Sequence, residues 1–132
     1  MIERIDGELG YGRIAKVKGK KIEEFVAEIK EEFGSDKVIY YGNNEVNCVA
    51  SFCGAGASSA VSALKDLDGV DTVVTSDIAH HNLLSLVNAG KNIVILPHYV
   101  AENYGFNKFY QSVCACLKDG AKGYYFTDKR FM

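Results

Sequence analysis

The chain has 132 residues, 48% hydrophobic and 24% charged, the size and balance of one globular domain rather than of a disordered or fibrous segment. A formal charge of −2 argues against a nucleic-acid surface, which calls for a Lys/Arg excess or stripe. No apolar run is long enough to cross a bilayer, and Met1 to Asp6 lacks the basic and apolar regions of a signal peptide, so a cytoplasmic protein with no membrane partner is expected.

In chain order, Gly12 to Lys18 alternates apolar and charged residues, as a half-exposed strand does. Ile22, Phe25, Val26, Ile29 and Phe33 follow at helical spacing, and Gly34 supplies a C-terminal stop. Lys37 to Tyr41 and Glu45 to Phe52 predict two strands joined across Gly42-Asn43-Asn44 as an antiparallel hairpin. Beyond Gly54-Ala55-Gly56, a helix is expected over Ser58 to Leu67. Thr72 to Thr75 then predicts a short strand buried on both faces. A helix from about Ala79 to Ala89 stopped by Gly90, a strand from Asn92 to Leu96, a helix from about Tyr99 to Leu117 and a last strand near Gly123 to Phe126 complete the reading. Helices alternating with strands are the rhythm of right-handed crossovers. The expected fold is therefore a single α/β domain over residues 1–132, a mixed, mostly parallel sheet with helices on both faces in three α/β/α layers.

Cys48, Cys53, Cys114 and Cys116 lie inside apolar patterns and predict buried free thiols rather than a disulfide framework. Cys114 and Cys116, two apart on a helix, face different ways and are not expected to share a metal.

In an open α/β sheet, sites form where strands end and helices begin, which singles out three segments. Pro97 pre-sets the backbone for helix start directly after a buried strand, and places His98 at the mouth of the sheet. His98 and Glu102, at i and i+4, share one helical face, where an imidazole nitrogen and a carboxylate can hold one Zn²⁺ or similar divalent ion. Two ligands are too few for a tight site; the competing reading is a capping His with a surface Glu. Thr75 to His81 brings Asp77, His80 and His81, either an N-cap with exposed histidines or groups that orient the ligands at His98. Gly54, Gly56 and Ser58 open a helix and are a weak candidate for anion binding; a tight turn that needs small residues is the alternative. No order or spacing picks out a Ser/His/Asp or Cys/His triad.

Gly10-Tyr11-Gly12-Arg13-Ile14, Val49 to Gly56, Thr75 to His81 and Pro97-His98-Tyr99-Val100-Ala101-Glu102 together resemble successive motifs of the NIF-three-like proteins, also known as GTP cyclohydrolase type-two-like or dinuclear-metal-centre proteins. The resemblance spans nearly the whole chain, in order. It implies toroidal hexamers that hold two metal ions (Zn, Mn or Fe) in a cleft between two halves, with His98 and Glu102 matching metal ligands of the C-terminal half. The remaining ligands belong to the family's N-terminal half, which has no counterpart here. Ser76 and Pro97 stand where the family tends to have Gly, and Ala101 where it has Thr; both ligand types stay in place. His80 and His81 align with a histidine pair of the C-terminal half, not with the ligating pair. Two accounts of the missing half are open, an excised C-terminal fragment or split-gene half and a standalone paralogue that has lost the complete site, the former preferred. The function expected is that of a metal-binding half of a metal-dependent hydrolase acting on a nucleotide such as GTP; the alternative is a noncatalytic metal-binding or assembly module.

Overall fold

A computed structural model describes residues 3–6, 9–58, 61, 69–118 and 121–132, the first eleven as backbone only. Two short strands, β1 (Glu3–Asp6) and β2 (Leu9–Tyr11), pair antiparallel by themselves. The main sheet contains β3 (Arg13–Lys20), β4 (Ile39–Tyr41), β5 (Val46–Ser51), β6 (Thr72–Thr75) and β7 (Asn92–Ile95), in the spatial order β3-β5-β6-β7-β4. The central strands β5, β6 and β7 run parallel, and each outer strand runs against its neighbour. The sheet is thus mixed, as expected, with its parallel part in the middle.

Around it lie α1 (Ile22–Phe33), α2 (His80–Asn88) and α3 (His98–Ala115). On α1, Ile22, Val26 and Ile29 recur at i, i+4 and i+7 and are buried, and Gly34 ends the helix in the left-handed region at φ 63°. Side-chain alternation along β6 and β7 sorts the core into two layers. Val73 and Ile93 join Leu86 of α2 on one face, while Val94 and Leu96 join the α1 residues on the other, where Ala101 of α3 packs too. Residues 56–58 begin the helix expected after Gly54; residues 59, 60 and 62–68, where most of that helix was expected, lie outside the described residues.

Three expectations are corrected. β4 and β5 are not a hairpin: β4 pairs with β7 and β5 with β3 and β6. Asn92 supplies the reason. Its buried amide accepts from the Asn44 backbone N–H at 3.0 Å and donates to the Asn44 carbonyl at 3.1 Å, which draws the 42–44 segment against the start of β7. Gly42, at φ 104°, has no room for a side chain there, since a Cβ would stand 2.4 Å from the Asn92 Oδ1.

Nor do residues 123–126 form a strand. The place beside β7 that a crossover through α3 would fill is taken by β4. The tail is held instead by side chains on α3: the Tyr125 hydroxyl donates to Asn103 Oδ1 at 2.7 Å, and the Asp128 N–H donates to the Tyr99 hydroxyl at 2.6 Å.

The cysteines are free but not buried. Cys53 follows β5 in an exposed turn, Cys116 caps the exposed end of α3, and Cys48 and Cys114 are half-buried. Among the described residues no helix is long and apolar enough to cross a membrane.

Candidate functional site

β5, β6 and β7 all end at the same edge of the sheet, so Cys53-Gly54, Ser76-Asp77 and Pro97-His98 emerge side by side. Gly54 ties two of these loops together. Its carbonyl accepts from the backbone N–H groups of Ser76 at 3.3 Å and Asp77 at 3.1 Å, and from the Thr75 hydroxyl at 3.4 Å. Its φ of 59° lies in the left-handed region, where a Cβ is disfavoured whatever the space. The His98 ring and the Glu102 carboxylate sit directly over it, within 3.8 Å of where that Cβ would be.

Pro97, at φ −56° and ψ 137°, starts α3, and its carbonyl accepts from the Ala101 N–H at 3.1 Å. His98 is thereby the first residue of α3, and Glu102 lies one turn on. The imidazole is held at both nitrogens: Nδ1 lies 2.6 Å from Asp77 Oδ2 and Nε2 lies 2.9 Å from Glu102 Oε1. All three side chains are exposed to solvent.

A neutral imidazole has one N–H, so it can donate to only one of two carboxylates. With the proton at Nδ1 for Asp77, the Nε2 lone pair meets the Glu102 oxygen, an arrangement that calls for a second proton or a cation between them. Hydrogen bonds that the ring donates to the Asp77 carboxylate, then to Glu102, hold the His98 pKa above its ordinary value, with slight burial opposing. These charge-assisted bonds are fully present below the unfolded-chain value of about 6.5 and fade as pH rises through the higher folded value. An NMR titration of His98 is therefore expected to give a raised midpoint that falls in Asp77→Asn, and that variant should lose more stability at pH 6 than at pH 9. A midpoint unmoved by the substitution would break the pairing.

The same geometry fits a divalent cation. Asp77 on Nδ1 fixes the ring and leaves Nε2 as the ligand nitrogen, the usual carboxylate–histidine–metal relay. Nε2 and the Glu102 oxygen, 2.9 Å apart, are close enough for both to reach an ion at about 2.1 Å. Because Asp77 lies on the opposite nitrogen, it cannot share that ion. Among the described residues no group of three or more His, Cys, Asp or Glu forms a full ligand set.

The other sequence candidates fall elsewhere. His80 and His81 begin α2, are exposed, and make no hydrogen bond to Asp77, His98 or Glu102 among the described residues. Asp77 does not cap α2, whose N-cap is Ala79; its carboxylate goes to His98 instead. In the Gly54 to Ser58 turn, the Gly56 N–H is taken by the Cys53 carbonyl at 3.3 Å and the Ser58 N–H by the Ala55 carbonyl at 3.1 Å, so the turn spends on itself the amides an anion would use.

Sequence reasoning missed a groove of about 540 Å³ that runs from Glu102 along α3, lined also by Cys53, Tyr99, Phe106, Phe109 and Tyr125. Partial desolvation by the groove wall, then the Glu102 charge, pushes the thiol of the otherwise exposed Cys53 up, opposed by a hydrogen bond from Gly54, so it is a thiol at neutral pH rather than a ready nucleophile. The position of Cys53 directly before Gly54, in a strand-to-helix turn, was the signal that could have placed it here.

The fold and this edge define a three-layer α/β protein whose carboxyl-end loops gather an Asp–His–Glu relay. The family is shown by sequence: the model of the Duf34/NIF3 (NGG1p interacting factor 3) family matches residues 2–127, and the chain belongs to that family. A GTP cyclohydrolase 1 type 2 homolog of Staphylococcus aureus is 31% identical over 93 residues, which are 68% of this chain and 25% of the relative. Among solved structures, reduced HcgD from Methanocaldococcus jannaschii is similar with a TM-score of 0.68 and 27% identity over 82% of this chain and 44% of that one. A hypothetical protein of S. aureus is similar with a TM-score of 0.66 and 27% identity over 79% of this chain and 35% of its own. The chain spans about a quarter of the length of the curated relatives it matches.

Proposed function

We propose that this chain is the metal-binding half of a metal-dependent hydrolase that acts on a nucleotide such as GTP. The observation that carries the reading is His98, pinned by Asp77 at Nδ1 so that Nε2 and the Glu102 carboxylate converge. A relative named as a GTP cyclohydrolase homolog supports the nucleotide and the hydrolysis. A divalent cation bound there, Zn, Mn or Fe, supplies Lewis acidity and activates water at neutral pH. The chain's own residues do the rest: Asp77 keeps the proton on Nδ1, and the Nε2 lone pair and Glu102 face the ion.

With two donors among the described residues, further ligands come from outside them, either from another copy in a homo-oligomer such as a hexamer or from an N-terminal half, joined to this chain or separate. The incomplete donor set also favours a second reading, a noncatalytic metal-binding or assembly module. Equilibrium dialysis with Zn²⁺, followed by GTP turnover by the assembled protein, separates them. The hydrolase reading expects zinc uptake and turnover, both lost in the His98→Ala, Glu102→Ala double variant; zinc uptake without turnover leaves the noncatalytic module.

A further inference from the structure

We propose that the groove beside Glu102 is the seat of a nucleotide's planar base, held between aromatic rings with its edge toward the His98–Glu102 pair. From the function proposed above this takes only the nucleotide; it assigns the part of the substrate that lies against α3.

The lining decides the chemistry. Of the nine described residues around the groove five are aromatic, none is Lys or Arg, and one is Glu102, so this wall repels phosphate and suits a neutral ring. Its volume of about 540 Å³ lies within the roughly 300–1,000 Å³ typical of small-molecule sites. The rings are organised before any ligand arrives: Phe106 stands 6.0 Å from Phe109 and 6.1 Å from Tyr125, and Tyr125 is anchored through its hydroxyl to Asn103. Phe106 and Phe109 are each 61% exposed, an exposure that packing within the chain does not explain. Asn103 accepts that anchor with Oδ1, and its Nδ2 has no partner among the described residues, which leaves a donor for a ring oxygen or nitrogen.

Gly105 is the second, independent observation. It lies inside the 18-residue helix α3, where glycine is unfavourable. Nothing stands within 4 Å of where its Cβ would be, so no packing constraint requires it. It does line the groove. A side chain at this position would take up the space that the base needs.

Gly105→Leu is thus the decisive variant, because it fills the groove while favouring the helix. Binding of guanosine, a base without phosphate, and of inorganic triphosphate, phosphate without a base, is measured by ligand-observed NMR and dialysis on the full chain. Guanosine is expected to bind, and to bind at least tenfold more weakly to Gly105→Leu and to Phe106→Ala, with Phe106→Tyr restoring it and the melting temperature of Gly105→Leu equal to or above the parent's. Equal guanosine binding by parent and Gly105→Leu, or binding of triphosphate alone, overturns the proposal. So does self-association of the parent that Phe106→Ala abolishes while guanosine binding stays unchanged, since the ring wall is then an interface between copies. Zinc uptake is followed in parallel: guanosine binding with the expected losses but no zinc uptake sinks the metal reading and leaves the groove standing.

Discussion

Zn²⁺ or Mn²⁺ at about tenfold its dissociation constant is expected to stabilise the protein by about 1.4 kcal/mol and to raise its melting temperature by about 5 °C. The His98→Ala, Glu102→Ala double variant should show no such rise. The basis is differential binding: in the folded chain Nε2 and the Glu102 oxygen stand 2.9 Å apart and are held so by Asp77 and by the first turn of α3, whereas in the unfolded chain they are independent. Removing the pair costs the metal-free fold little, because both side chains are largely exposed, so the variant stays folded for comparison. The rise should grow with pH as the proton that competes for Nε2 leaves. Differential scanning fluorimetry of both proteins at two pH values reads all of this, and an equal rise in the two proteins would remove the metal site.

The largest loss of stability is expected at Ile93. Ile93→Ala should cost roughly 2–5 kcal/mol, read as a lower urea midpoint with an unchanged slope. Ile93 is completely buried on β7, beside Val73 on the parallel β6 and Tyr41 on the antiparallel β4, and it packs in the cluster that contains Leu86. Truncation leaves a cavity between two strands and a helix whose backbones are fixed by hydrogen bonds, so the site collapses poorly. Phe106→Ala is the control: the ring is larger but 61% exposed, and its removal should shift the midpoint by much less. A loss below about 1 kcal/mol for Ile93→Ala would mean that Ile93 is not packed between β7 and α2.

Much of the architecture was legible in local pattern. The i, i+4, i+7 spacing of Ile22, Val26 and Ile29 marked the buried face of α1, and Gly34 marked its end. Thr72 to Thr75, with no polar alternation, announced a strand covered on both sides. At the candidate site, the spacing of His98 and Glu102 after Pro97 was enough to bring them together, since one helical turn places them on the same face whatever surrounds them.

Other features depended on distant residues. Gly42-Asn43-Asn44 carries hairpin chemistry, yet the buried Asn92 amide, 48 residues beyond Asn44, holds that segment and β4 pairs with β7. Asp77 was legible as a helix cap or as a ligand-orienting group, and only the parallel alignment of β6 with β7 brought it to His98 Nδ1, 21 residues away, rather than to α2. Helical faces and turn stops arise from sterics and periodicity within a few residues, which any reader of the chain can reconstruct. Strand neighbours and side-chain partners across loops come from competition among many possible edges and hydrogen bonds, and that competition is resolved only when the whole sheet is assembled.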